Sequence, residues 1–150
     1  MTDRAVTHST FTLERVYDVP PARAFAAWSD PATKARWFAA GGDHELDFRV
    51  GGTEVNRARG DEGQLLTFES RYQEIVAGER IVYTSTLSAE EDVVTVSLTT
   101  VGFEADGEGA LLVLTEHGAF LDGHEEPAWR EQGTGDWLDA LGAELRDVTS

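Results

Sequence analysis

The chain has 150 residues, 41% of them hydrophobic and 27% charged, with no cysteine and a formal net charge of −16. That length fits one domain able to bury roughly 70% of the surface its unfolded chain exposes, and the lack of cysteine removes any disulfide framework or thiolate metal site. The acidity, with Lys34 the only lysine among 12 basic residues, repels nucleic-acid phosphates and anionic lipid and excludes nucleic acid as a partner, while the absence of an apolar run near the ~20 residues of a membrane span, or of a signal-peptide core in 1–10, points to a cytoplasmic protein.

In chain order, Phe11, Leu13, Tyr17 and Val19 alternate with Thr12, Glu14 and Asp18, the period of two of a half-buried strand over 10–19. Arg15 falls on the apolar side of that alternation, and Val16 interrupts the polar side. Pro20-Pro21 starts a helix, because proline fits only a first turn, and Ala24, Phe25 and Trp28 recur at helical spacing. Asp30-Pro31 supplies the N-cap and first-turn proline of a second short helix, which ends near Arg36-Trp37-Phe38 with Gly41-Gly42 as its stop.

A run of strands follows. Residues 45–50 join 53–59 through Gly51-Gly52 as a two-residue hairpin turn. Strands at 64–76, 80–87, 93–103 and 110–117 come next, and Leu66, Phe68, Tyr72 and Val76 share one face of the first of these. Connections this short join antiparallel neighbours, since a parallel crossover needs a dozen residues or more. In the 93–103 strand, Val94, Val96 and Leu98 oppose Val93 and Val101, which suggests a covered outer face and a homodimer. Pro127 opens a final helix with an apolar stripe of Trp137, Leu138, Leu141, Leu145 and Val148, weakened at its start by Thr134.

One strand, two short helices, six strands and one long helix define an α+β protein in which the helix covers the sheet. A twisted sheet of about seven strands curls, and a curled sheet closed by one helix leaves a hollow. Gly133, Gly135 and Gly142 lie within the helical segment, where each costs about 1 kcal/mol relative to alanine. Either they leave room beneath the helix, or the first turns fray and the helix starts near Gly135.

The stretches 11–15 with 17–21, Phe25 to Trp28 with Asp30-Pro31, Arg36-Trp37-Phe38, Asp47 to Gly52, Tyr72 with Glu74-Ile75, Glu79 to Tyr83, Leu112 to Glu116, and Gly133 through Trp137-Leu138 to Leu141 carry a resemblance. Over residues 10 to 147 the chain resembles the activator of heat-shock-protein-90 ATPase homologue-like family of the START-like (SRPBCC) superfamily. The resemblance implies a helix-grip fold of the START-like/Bet v 1-like kind: a curved antiparallel sheet gripping the C-terminal helix, with a cavity between them. Residues 1–150 then form a single START-like domain, with 1–9 expected as a flexible N-terminal tail.

The expected cavity wall is Arg15, Trp28, Trp37, Phe38, Phe48, Tyr72, Tyr83, Phe120, Trp129 and Trp137, since ligand pockets are mostly apolar with a few placed polar groups. Trp37-Phe38 and Phe120 lie beside the glycines 41, 42, 118 and 123, which form the expected mouth. A buried Arg15 needs a partner: a ligand carboxylate, or Glu69 or Glu116. Asp122, His124, Glu125 and Glu126 cluster in one stretch that reads as a solvated acidic loop, so neither metal nor cofactor is expected. No nucleophile motif is present, and no catalytic residue is assigned. The leading reading is non-catalytic binding of a small hydrophobic or amphipathic molecule, lipid included. The alternatives are a co-chaperone-like module with a protein partner, and a cavity enzyme of cyclase or hydrolase type using Arg15, Tyr72, Tyr83 or His117.

Overall fold

A computed structural model describes residues 4–40 and 42–147. Gly41 and Val148, part of the expected helix stop and stripe, and residues 1–3 of the expected tail, lie outside these. The elements are β1 (Val6–Tyr17), α1 (Pro21–Ser29), α2 (Pro31–Phe38), β2 (Asp43–Leu46), β3 (Thr53–Arg59), β4 (Leu65–Val76), β5 (Arg80–Ala89), β6 (Asp92–Asp106), β7 (Gly109–Leu121) and α3 (Pro127–Asp147). The seven strands form one curved antiparallel sheet in the order β1-β7-β6-β5-β4-β3-β2. With two short helices after the first strand and one long helix at the end, this is the α+β helix-grip architecture.

Strand β1 starts at Val6, not Thr10. Residues 6–9, expected in the tail, pair with 118–121 of β7. The helices α1 and α2 carry the chain from that edge to the opposite one, where β2 lies. Their starts follow the prolines: Pro21 and Pro31 sit in first turns, and the Asp30 carboxylate accepts from Thr33 N at 3.1 Å and Thr33 Oγ1 at 2.6 Å. Helix α2 ends one turn before the glycines, and Ala40 takes the left-handed conformation, φ 50°, that glycine was expected to supply.

Gly51-Gly52 is not a two-residue hairpin turn. Strand β2 ends at Leu46, and 47–52 form a loop that docks on β4 through Gly51 N to Tyr72 O at 2.8 Å and Tyr72 N to Gly52 O at 3.0 Å. A Cβ on Gly52 would lie 2.1 Å from Asp47 O, so this close approach needs glycine.

Two bulges bend the sheet. Gln73 is unpaired between Tyr72 and Glu74, the partners of Tyr83 and Val82, and Val94 is unpaired between Val93 and Thr95, the partners of Ser88 and Leu87. Past Gln73 the alternation slips by one residue. Ile75 therefore packs on the core and Val76 does not join Leu66, Phe68 and Tyr72. Val94 and Val101 are likewise buried, leaving Val93, Val96 and Leu98, each about 40% exposed, as the exposed apolar residues of β6.

The core lies between the concave face and the helices, around Phe25, Trp28, Trp37, Ile81, Leu112 and Leu141. Helix α3 is continuous over 21 residues from Pro127, so its first turns are not frayed. Its glycines divide by role. A Cβ on Gly135 would stand 3.3 Å from Arg15 Nη2, and one on Gly142 3.3 Å from Tyr17 Cε1, so both let the helix approach β1. A Cβ on Gly133 meets nothing within 4 Å. Gly133 is itself exposed. No helix among the described residues is long and apolar enough to cross a membrane.

Candidate functional site

The strand register lays side chains in rows across the concave face. One row is Glu54, Ser70, Ser85, Ser97, Gly118 and Ser9. Larger residues flank it: Asn56, Phe68, Leu87, Thr95 and Phe120 on one side, and Tyr72, Tyr83, Thr99, Glu116 and Phe11 on the other. The small row leaves a furrow. Arg130, from the first turn of α3, fills part of it. Its guanidinium lies 5.6 Å from the Phe68 ring and 5.9 Å from the Phe120 ring, and reaches Glu116 Oε2 at 3.0 Å.

Arg130 holds two carboxylates. Nη1 donates to Glu116, while Nε and Nη2 donate to the two oxygens of Glu125 at 3.1 and 3.0 Å. Thr95 Oγ1 donates to Glu125 at 2.6 Å and Thr99 Oγ1 to Glu116 at 3.1 Å. Burial pushes the Glu116 carboxyl above the usual range, against the opposing pull of Arg130 and Thr99. Burial opposes the Arg130 charge, but the two carboxylates outweigh it and hold the guanidinium above its ordinary value. The asymmetry follows from sharing: one cation faces two anions.

Beside this cluster, the furrow opens into a cleft of about 240 Å³ between β3–β5 and the N-terminal half of α3. Leu66, Phe68, Leu87, Trp129 and Trp137 give it apolar walls. Asn56, Thr134, Glu125 and Arg130 contribute its polar groups, and Gly133 lies in its helical wall. Trp129 is 64% exposed, a large aromatic left at the mouth. An apolar cavity of about 150 Å³ accommodates benzene, so this volume suits a guest of about ten non-hydrogen atoms.

Behind the cleft stands a second buried cluster. Lys34 Nζ donates to Glu54 Oε1 at 2.7 Å, Tyr72 OH donates to the same oxygen at 2.8 Å, and His44 Nε2 lies 2.7 Å from Glu54 Oε2. The rings of Trp28, Trp37 and Phe38 surround the ammonium at 4.8, 5.7 and 4.4 Å. Burial pushes the Lys34 ammonium down and the Tyr72 hydroxyl up. Burial alone would raise Glu54, but Lys34 and the hydrogen bonds from His44, Lys34 and Tyr72 hold it below the usual range. Phe38 connects this cluster to the cleft, with its ring 4.4 Å from Trp137 and 6.0 Å from Phe68.

Of the ten residues expected to line a cavity, only Trp129 and Trp137 reach the cleft. Trp28, Trp37 and Phe38 enclose Lys34 instead. Phe48 packs on Phe25 and Tyr72, Tyr83 is buried against Tyr72, and Phe120 lies under Arg130. Phe120 and Gly118 belong to β7 and form no loop or mouth. Arg15 also lies elsewhere. On the edge strand it faces the middle of α3, pairing Asp139 at 2.9 Å and reaching Gly135 O at 3.4 Å, so neither Glu69 nor Glu116 is its partner. Among the acid–base candidates, Tyr72 is committed to Glu54, and His117 lies on the convex face against Thr10. The acidic stretch disperses, with Asp122 bonding Arg4 and Ala5 N while Glu125 turns in to Arg130. Among the described residues no group of three or more His, Asp or Glu is placed to hold a metal ion.

Solved structures share this architecture. A protein of Rhizobium leguminosarum is 41% identical over 97% of this chain and 99% of its own, with a TM-score of 0.93. The Mll3558 protein of Rhizobium loti is 42% identical over 93% and 99%, at 0.87. CV1439 of Chromobacterium violaceum is 30% identical over 89% and 94%, at 0.75. No curated protein matches the sequence. Residues 18–146 match the family described as activator of Hsp90 ATPase homolog 1-like protein, from the end of β1 to the last turn of α3. The chain belongs to that family.

Proposed function

We propose that the chain binds a small amphipathic molecule, without chemical change, in the cleft between β3–β5 and α3. The observation that carries this reading is the open cleft beside Gly133, walled by Phe68, Trp129 and Trp137 and provided with a few polar groups, Asn56 from the sheet and Thr134, Arg130 and Glu125 from the helix and the segment before it. The titratable groups on the wall are committed to one another: Glu125 accepts from Arg130 and Thr95, and Arg130 donates to Glu125 and Glu116. That arrangement favours holding a guest over transferring protons.

Gly133→Leu tests the proposal. The position is helical, without positive φ, and faces space, so a leucine there extends into the cleft and removes about 1 kcal/mol of glycine penalty. The variant is expected to melt at or above the parent temperature and to lose the thermal shift given by small aromatic amphiphiles. A guest at 100 times its dissociation constant stabilises the parent by about 2.7 kcal/mol. A folded Gly133→Leu variant that keeps the full shift would rule out the cleft as the binding site.

A further inference from the structure

We infer that the guest of this cleft is an organic cation, a protonated or quaternary amine on an apolar body of one ring or a short chain. The inference rests on the binding function proposed above and adds the charge of the guest. The cleft is lined by the aromatic side chains of Phe68, Trp129 and Trp137 together with one carboxylate, that of Glu125. Aromatic side chains beside an anionic group add an attraction for a cation that a neutral molecule of the same shape does not receive.

The charge count supplies the direction. Arg130 is the only cationic residue on the wall, and its guanidinium is shared by Glu116 and Glu125. One positive and two negative groups give the cluster a formal charge of −1. Glu125 is the one of the two carboxylates that lines the cleft, and its side chain is 16% exposed, against 6% for both Arg130 and Glu116. A guest carboxylate would meet this surplus charge and find the guanidinium already occupied. A guest ammonium would balance it. The formal charge of −16 acts in the same direction at longer range, concentrating cations near the surface at low salt.

The test is isothermal titration calorimetry with four probes of about ten non-hydrogen atoms: 2-phenylethylamine, phenyltrimethylammonium, 2-phenylethanol and 3-phenylpropanoate. Each is titrated into the parent, Gly133→Leu and Glu125→Gln. In the parent both cations are expected to bind about tenfold tighter than the alcohol, with the carboxylate weakest. Gly133→Leu should lose all of them. Glu125→Gln should lower cation affinity about tenfold and leave the alcohol within about twofold. An alcohol bound as tightly as the amines, yet lost in Gly133→Leu, would overturn the cation assignment and leave the cleft as the binding site. No binding by any probe would overturn both. The rank order in the parent decides the matter even where Glu125→Gln fails to fold.

Discussion

Replacing Lys34 by methionine would remove the ammonium from a site where water cannot replace it. Lys34 is 1% exposed and Glu54 2%, and 2.7 Å separates their charged atoms. Methionine preserves the apolar stem among Trp28, Trp37 and Phe38 but leaves the Glu54 carboxylate with only Tyr72 and His44. Breaking a buried pair in this way costs about 3–5 kcal/mol. For a chain of this length each kcal/mol lowers the melting temperature by about 2–4 °C, so a fall of about 6–20 °C is expected. The pH dependence should also change sign. In the parent, Glu54 is held below its ordinary value, so its contribution is present above that value and lost as pH falls through the lower folded one. Without Lys34, burial dominates and the folded value rises above the ordinary one. The contribution is then fully present below the ordinary value and lost as pH rises. Lys34→Met should therefore be less destabilised in urea melts at pH 5 than at pH 8. A loss under about 1 kcal/mol, or one equal at both pH values, would refute a buried ion pair.

Two further substitutions separate the Arg130 cluster from the Arg15 pair. Arg130→Met leaves Glu116 and Glu125 without their cation and should cost about 3–5 kcal/mol at pH 8. The loss should be smaller at pH 5: the folded value of Glu116 is already raised, so its contribution is present at low pH and lost on going up, and the urea midpoint at each pH checks this. Arg15→Met breaks a pair whose side chains are 30% and 67% exposed and should cost less than about 1 kcal/mol. It should leave the probe rank order unchanged in calorimetry, and a selective change in carboxylate affinity would show that Arg15 reaches the guest.

The elements were legible wherever local chemistry decides them. Pro21, Pro31 and Asp30 marked two helix starts, and short turns made the neighbours antiparallel. What escaped depended on partners far along the chain. Nothing local places β1 beside β7, and nothing announces the extra residues Gln73 and Val94 that reverse the alternation. The site was hidden for a related reason. Arg130 precedes the apolar stripe of α3, where the pattern fades at Thr134, because that half of the helix faces the furrow and not the oily core. A signal was nevertheless present. Glu116 continues the inward alternation of Leu112 and Leu114, and an inward carboxylate requires a cation. The sole lysine, three and four residues before Trp37 and Phe38, likewise required an anion, and Glu54 supplies it.

Both clusters stand against the walls of the cleft, and neither is needed for the core to be apolar. Buried ion pairs replaced by apolar residues of similar volume often leave a protein equally or more stable, so stability alone does not account for them. An empty recess has a different requirement: its walls must resist closing over the gap, because unfilled volume forfeits packing contacts. Directional bonds provide that resistance. Glu54 fixes Lys34, whose ammonium lies 4.4 Å from the ring of Phe38, and Phe38 in turn backs Trp137 at 4.4 Å. Glu116 and Glu125 fix Arg130, which lies over Phe68 and Phe120. Stability and binding should then separate in the double variant Lys34→Met with Glu54→Gln. Removing both charges should recover more than half of the stability lost in Lys34→Met, while the wall formed by Phe38 and Trp137 relaxes into the recess and guest affinity stays low. Recovery of both together would mean that the cluster serves only the fold.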